Sequence, residues 1–361
     1  MMDLLRELVE TESPSRDKSA VDKVGRLLAD KCRQLGAEVE TIQQVEVGDH
    51  LIARWGNGKG GILLLHHMDT VFPLGTIQQM PFHQKEDKTF GPGVLDMKGG
   101  IVVTMSAIRT LQENGQMPAR PVTALFTSDE EIGSDTSRLL IEKMAQESAL
   151  VLVLESGLVD GALKVWRKGV GEFLVKVKGR ASHAGGAHED GRNAIQEMAH
   201  QVLAIQSMTD YNKGTTLNVG VIRGGTTSNV VPAECEVEVD FRVLVPEEAD
   251  RVVSAVNSLK PLMPGTSISV TGGVNRPPMP NDDLMKRTFE KACRIAAGMG
   301  MDLKSGGTGG GSDANFVAPL GIPVLDGLGT VGEGYHSERE YIFTESLSER
   351  ARLVASLISQ W

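Results

Sequence analysis

The side chains that could do chemistry gather in five short stretches. Gly61 to Val71 (GILLLHHMDTV) opens apolar and β-prone, then turns abruptly to His66, His67 and Asp69. His67 and Asp69 stand two apart, so along an extended strand end they point to the same side and a carboxylate can sit beside an imidazole. Asp96 lies among glycines in GPGVLDMKGG, Glu130 and Glu131 follow the apolar run Val122 to Thr127, Glu155 follows Leu150 to Leu154, and His336 lies in YHSE. Each signal is weak alone. A Glu-Glu pair at a helix start is usually a solvated first turn, and an Asp among glycines is usually a turn residue. Together, imidazoles and several carboxylates at predicted strand ends suit a borderline divalent cation, Zn2+ first, with Mn2+ or Co2+ as alternatives. The set is large enough for two ions bridged by a carboxylate and a water. Successive side chains diverge, so one of Glu130 and Glu131 can bind an ion while the other faces the water as general base. On chemistry alone the set favours a hydrolytic metal site.

These residues need a scaffold, and the apolar pattern supplies one. Val21, Val24, Leu28, Cys32 and Leu35 form a helical stripe stopped by Gly36. Short strands are expected over 39–47 and 50–55, then the buried strand that ends at His67, and then a loop as far as Phe90. Helices over 99–113 and from about 134 to 146 alternate with strands 122–127 and 150–154. Three buried strands thus end in acids or imidazoles, the pattern of a doubly covered, mainly parallel sheet with a polar rim. Near Lys168 the texture changes. GEFLVKVKG and ECEVEVDFRV alternate apolar and polar, a further strand is expected over 215–223, helices over 193–208 and from Pro246, and a last strand over 267–271. Strand-helix-strand-strand-helix-strand reads as a small ferredoxin-like α+β domain with one solvated sheet face. The first texture then resumes with a helix over 282–297, a glycine loop over 306–311, a strand near 323–325 and a last helix over 345–358. The expected organisation is α/β: a catalytic domain with a mixed, mainly parallel sheet in two parts, 1–168 and 276–361, and an inserted α+β domain over 169–275.

Bulk properties narrow the function classes. The chain has 361 residues, 40% hydrophobic and 23% charged, and a net charge of −10 that argues against nucleic-acid or anionic-membrane partners. At 4% aromatics, base-stacking platforms are not expected. Cys32, Cys235 and Cys293 form no CxxC pattern and read as free thiols, which places the protein in the cytoplasm, as does the want of a signal-peptide core. GNGKGG lacks the Ser or Thr of a phosphate loop, and the later glycine loop lacks its Lys.

HHMDTV, FGPGVLDMKGG, TSDEEIGS, LVLESG, ASHAG, TSNVVPA, GTGGGSDAN and YHSE occur in this order over nearly the whole chain. The set resembles the di-zinc metallopeptidase family of glutamate carboxypeptidase, aminoacylase, acetylornithine deacetylase and succinyl-diaminopimelate desuccinylase, and within it bacterial glutamate carboxypeptidase (carboxypeptidase G). The resemblance implies two Zn2+ per subunit. His67 and Glu155 would bind one ion, Glu131 and His336 the other, and Asp96 would bridge them, often with a cis peptide bond after it. Asp69 would orient His67, Glu130 would be the general base, and His66 would be left to packing. His183, in ASHAG of the inserted domain, would stabilise the oxyanion in the partner subunit's site. That makes the inserted domain a dimerisation domain and a homodimer the active form. Asn229 and Arg242 match positions that hold a substrate carboxylate, Arg276 or Lys164 one that meets the substrate side chain, and Gly309, Gly310 and Gly311 would lie along the substrate backbone. The implied substrate is a small peptide or an N-acyl amino acid, cut at an amide bond beside a free carboxylate. A glutamate-type carboxypeptidase or dipeptidase is expected first and an N-acyl-amino-acid deacylase second. A catalytically silent small-molecule binding protein on the same fold is the contrasting reading, opposed by the complete set of donors and Glu130.

Overall fold

The computed structural model describes residues 1–361. The chain divides into two compact units. The first comprises Met1–Trp166, Asn281–Thr308 and Ser312–Trp361, and the second Arg167–Pro280 with Gly309–Gly311.

The first unit opens with helices α1 (Met2–Glu10) and α2 (Lys18–Gln34), followed by strands β1 (Glu38–Ile42), β2 (His50–Trp55) and β3 (Gly61–His67). α1 was not expected, although Leu5, Leu8 and Val9 bury one helical face. β1 stops at Ile42, short of the expected strand to Val47. The stretch expected to be a loop as far as Phe90 holds a helical turn, Thr76–Gln79, and a hairpin of β4 (His83–Lys85) and β5 (Lys88–Phe90). Then come α3 (Gly99–Glu113), β6 (Val122–Thr127), α4 (Arg138–Gln146), β7 (Ser148–Val153) and β8 (Leu163–Arg167). α3 can start close to the end of β7 because residue 100 is glycine. A Cβ there would stand 2.0 Å from the Leu154 carbonyl oxygen.

The second unit is built from β9 (Gly169–Lys178), the short β10 (Ser182–His183), α5 (Ala194–Gln206), β11 (Thr216–Gly224), the short β12 (Val230–Val231), β13 (Glu234–Val243), α6 (Pro246–Asn257) and β14 (Ser267–Arg276). Its four-stranded antiparallel sheet has the order β11-β13-β9-β14. Alternation sends Phe173, Val175, Val177, Val237, Val239 and Phe241 into one core with Met198, Ile205, Val252 and Val256 of the helices. Asn193 caps α5 through a 3.0 Å bond from the Gln196 amide, and Pro246 with Glu247 and Glu248 opens α6. β14 runs five residues beyond the expected end, so Arg276 is a strand residue.

The chain then returns to the first unit with α7 (Asp283–Ala297), β15 (Ser305–Thr308), β16 (Val324–Asp326), the short β17 (Gly332–Glu333), β18 (Tyr341–Phe343) and α8 (Ser346–Gln360). The main sheet has the order β1-β2-β6-β3-β7-β16-β8-β15. Neighbours β6, β3, β7 and β16 are parallel, while β1, β2 and β8 pair antiparallel. Buried on both faces, β3 is apolar from Ile62 to Leu65, and its core continues through Val122, Ala124, Phe126, Leu150, Leu152 and the inner faces of α2, α3 and α8. A second small sheet, β17-β18-β5-β4, lies in the same unit. It was not foreseen, and it brings the loop after β5, which holds Asp96, to the same end as the β17–β18 loop, which holds His336. No helix is long and apolar enough to cross a membrane.

Candidate metal centre

The parallel arrangement fixes where the first unit's polar residues meet. β3 ends at His67, β6 runs into the turn with Glu130 and Glu131, and β7 is followed by Glu155, so adjacent strands deliver an imidazole and three carboxylates to one carboxyl edge. The small sheet adds Asp96 and His336. The Asp96 carboxylate lies between two sets of donors. Its Oδ1 is 3.0 Å from His67 Nε2, which is 3.5 Å from Glu155 Oε1. Its Oδ2 is 3.2 Å from His336 Nε2, which is 3.3 Å from Glu131 Oε2. Ligand atoms of His67, Glu130 and Glu155 fall within 4.8 Å of one another, as do those of His67, Asp96 and Glu131. The Asp96–Met97 peptide bond is cis.

Asp69 lies beneath this cluster, almost completely buried. Its carboxylate accepts from Ser15 Oγ at 2.6 Å and from the amides of Glu130 and Glu131 at 3.3 and 3.2 Å. His67 Nδ1 stands 3.1 Å from the Asp69 main-chain carbonyl and 3.5 Å from its carboxylate. Orientation of the ring is therefore shared between backbone and side chain, and the carboxylate's nearer task is to hold the Glu130–Glu131 turn. His66 points elsewhere. It stacks on Phe126 at 4.7 Å, with Nε2 2.8 Å from Thr104 Oγ1, and burial pulls its pKa down to about 3.

The electrostatics call for cations. Burial would lower the His67 pKa, but Asp69, Asp96 and Glu155 overcome it and hold the ring well above the usual imidazole range. Asp96 and then Glu131 lift His336 to about 10. Burial would raise the Asp96 carboxyl; its pairing with His336 and His67 reverses that and keeps it far below the usual carboxylate range. Burial, then the negative charge of Asp96, pushes Glu131 up to about 7, and its buried Oε1 has no hydrogen-bond partner. An orphaned buried carboxylate oxygen, amid more acids than imidazoles can neutralise, is what a divalent-cation site looks like when only the protein is counted. Nitrogen and carboxylate donors without sulfur fit Zn2+, Mn2+ or Co2+.

The second unit groups the other residues singled out from the sequence. β10 pairs with β12, setting His183 opposite Val230, and the Ala184 amide donates to the Asn229 carbonyl at 3.0 Å. His183 Nδ1 accepts from the Gly185 and Gly186 amides at 3.1 and 3.0 Å, which leaves the ring proton of the neutral form on the exposed Nε2. Arg242 and Arg276 both stand opposite Val170 of β9, on either side of it. Asp240 holds Arg242 along one edge, from Nε at 2.9 Å and Nη2 at 2.7 Å. Arg276 is buried, and a Cβ on Gly311 would stand 3.0 Å from its Cδ. Lys164, of the first unit, is buried on β8 opposite Asp326.

Three residues have supporting roles that the sequence did not reveal. Glu340, fully buried, accepts from the amides of Gly93, Leu95 and Asp96 at 3.1, 2.7 and 3.1 Å and so joins the Asp96 loop to the start of β18. Lys98 donates to the carbonyls of Leu8 and Thr11 at 2.9 Å each, closing the end of α1 against the same loop. Arg167, in the second unit, donates to the carbonyls of Gly310 and Gly311 at 3.2 and 2.8 Å. Lys98 lay beside Asp96 in GPGVLDMKGG and Arg167 three residues from Lys164, but partners of backbone amides and carbonyls leave no motif.

Imidazole and carboxylate side chains gathered at the carboxyl edge of a parallel sheet suit a metal-dependent hydrolase. Over residues 63–360 the chain matches the profile of Peptidase family M20/M25/M40, and it belongs to that family. It is 32% identical to carboxypeptidase G2 of Pseudomonas sp. (strain RS-16) over 98% of this chain and 87% of that one. It is 29% identical to acetylornithine deacetylase of Proteus mirabilis over 67% of each. Among solved structures, aminopeptidase PepT of Bacillus cereus superposes with a TM-score of 0.79 at 25% identity, covering 99% of this chain and 97% of that one. The chain is an enzyme of the metallopeptidase class with a mixed α/β fold.

Proposed function

We propose that this enzyme cleaves an amide bond beside a free carboxylate, as a glutamate-type carboxypeptidase or dipeptidase working with two divalent cations, Zn2+ first. The observation that carries this reading is the division of the Asp96 carboxylate between His67 with Glu155 and His336 with Glu131. In this reading His67 and Glu155 would hold one ion and Glu131 and His336 the other, with Asp96 available to both. Two such ions would polarise the scissile carbonyl and lower the pKa of a water between them toward neutrality. Glu130, on the turn that Asp69 holds through two amides, would act as general base and take the proton of the attacking water. As the C–N bond breaks, Glu130 passes the proton to the departing nitrogen, giving a free acid and a free amine. His183 offers its Nε2–H to the developing oxyanion, and the Gly185 and Gly186 amides keep that tautomer in place. Arg242, with Asp240 along one edge, keeps its Nη1 edge for the substrate carboxylate, joined by Asn229. Arg276 meets the substrate side chain, and Gly310 and Gly311 lie along its backbone.

The working form is a homodimer in which His183 of one protomer serves its partner's site. Supporting this, β11 ends its sheet with one edge open, and Ile222 on it and Ile195 and Leu203 on α5 are exposed large apolar side chains. A cytoplasmic setting fits the three free cysteines. The likeness to acetylornithine deacetylase favours a second reading, deacylation of N-acyl amino acids. Incubation with N-acyl-glutamate, folate-type and dipeptide panels, with zinc, manganese and cobalt each supplied, separates the two. Cleavage of N-acetyl amino acids alone would refute the carboxypeptidase reading. For the dimer, a His183→Ala chain paired with a Glu130→Ala chain regains activity through the hybrid site. Verified heterodimers without activity would refute the shared site.

A further inference from the structure

The turn that presents Glu130 and Glu131 is held from three directions, and one of them involves a residue with no part in the chemistry above. Asp69 holds its middle through two amides, and Asp313 takes the Ser134 hydroxyl at 2.6 Å. The third is His50, at the start of β2 and fully buried. Its Nδ1 lies 3.0 Å from Ser128 Oγ and its Nε2 3.0 Å from Thr136 Oγ1. Ser128 and Thr136 flank the Glu130–Glu131 pair, one on each limb of the turn, so a single ring spans its mouth.

The proton inventory shows how tightly the ring is engaged. Ser128 Oγ donates to the Gly48 carbonyl in a short bond, and Thr136 Oγ1 donates to Asp129 Oδ2 at 2.7 Å. Asp129 also accepts the amides of Thr136 and Ser137 at 2.8 and 3.3 Å. A hydroxyl has one proton, so while both donate this way both can only accept from His50, which needs a proton on each nitrogen. Burial opposes that charge and pulls the His50 pKa below the ordinary value, against Asp129, Asp69 and Asp49. In the neutral ring one nitrogen donates and the other accepts, and one hydroxyl turns to meet it. Either way both contacts persist, because each hydroxyl can donate or accept. The segment leading into β2 is locally tight as well. A Cβ on Gly48 would stand 2.4 Å from Val21 Cγ1 and 3.2 Å from Ser128 Cβ, so the Gly48 carbonyl reaches Ser128 only because residue 48 is glycine.

We infer that His50 is a positioning residue, a two-point clamp across the limbs of the turn that sets where the Glu130 and Glu131 carboxylates stand. The inference rests on the reading of Glu130 as general base and Glu131 as ligand. A side chain that needs both contacts for this purpose has a narrow list of substitutes. Phenylalanine keeps the ring's bulk and loses both bonds, whereas glutamine offers one donor and one acceptor from a single amide.

The test compares His50→Phe and His50→Gln in the full-length protein, measuring kcat and KM on whichever substrate the panel selects. Peptide-resolved hydrogen exchange over residues 128–137 is followed in the metal-free protein. His50→Phe is expected to lose between about tenfold and a hundredfold in kcat, with KM within about threefold, as a displaced general base would cause. Exchange should rise in 128–137 above the rest of the chain, and His50→Gln should recover most of both. In a Ser128→Ala/Thr136→Val background, His50→Phe should cost nothing more. If His50→Phe does not fold, the single Ser128→Ala and Thr136→Val variants bear the same expectation. A folded His50→Phe enzyme with wild-type kcat, or one no worse than His50→Gln, would overturn the clamp. Glu130→Gln is run alongside. If it retains full turnover the functional reading itself fails, and if it is inactive while His50→Phe is active only the clamp fails.

Discussion

His66 offers a way to weigh a buried group beside the candidate metal centre without touching that centre. Its ring is sealed between Phe126, Thr104 and the Leu125 carbonyl, which lies 3.3 Å from Nδ1. The neutral ring suits this pocket, with Nδ1–H toward the carbonyl and Nε2 accepting from the Thr104 hydroxyl. Burial holds the folded pKa at about 3, against 6.5 in a solvated histidine. Between those values the unfolded chain binds a proton that the folded chain refuses. The stabilisation from keeping His66 neutral is thus complete above pH 6.5 and is lost as pH falls toward 3. The slope approaches about 1.4 kcal/mol per pH unit, so the loss between pH 7 and pH 5 is about 2 kcal/mol from this one ring. Urea unfolding of chelator-treated protein at the two pH values, with wild type and His66→Gln compared, isolates it, since other titrating groups cancel in the difference. The variant should be less stable at pH 7 and should lose about 2 kcal/mol less than wild type on acidification. Equal acid sensitivity in the two proteins would refute the assignment of His66 as a neutral packing residue.

Other residues give similarly direct outcomes. Asp69→Asn retains the shape but cannot accept from Ser15, Glu130 and Glu131 together. A loss of about tenfold to a hundredfold in metal affinity or kcat/KM is expected, and a variant with both its calorimetric metal titration and its kcat/KM unchanged from wild type would refute it. Asp240→Ala releases Arg242 from its bidentate partner. KM for carboxylate-bearing substrates should rise about tenfold, a change of about 1.4 kcal/mol, with kcat nearly constant, and an unchanged KM would remove Asp240 from substrate alignment.

The parts of the fold that were legible in the sequence are those with one dominant period. β3, β6 and β7 read as buried strands because parallel strands covered on both faces are apolar throughout, and β13 read as a half-exposed strand because Glu234 to Val243 alternates without a break. The hairpin at 83–90 was missed because HQKEDKTF has almost no apolar residue to alternate, and strands of three residues are set by their partners rather than by propensity. That omission hid how Asp96 and His336 are brought to one end of a common sheet. Glu340 was invisible for a related reason: its partners are main-chain amides more than two hundred residues away. His50 read as the first residue of a strand, since nothing local announces two hydroxyls at 128 and 136. In the candidate site, donors that end strands or sit in glycine loops could be named from sequence. The residues that hold those donors in place could not, because they act through tertiary contacts.

On the function proposed above, this chain holds two divalent cations and uses Glu130 to move the proton of the attacking water. The most direct test measures bound metal per chain together with turnover on the N-acyl-glutamate and dipeptide panel, for wild type and Glu130→Gln. Two ions per chain are expected in both proteins, with turnover in the variant reduced by about a hundredfold to ten-thousandfold. One ion or none in the active wild-type enzyme, or a Glu130→Gln variant that turns over at the wild-type rate, would contradict the claim.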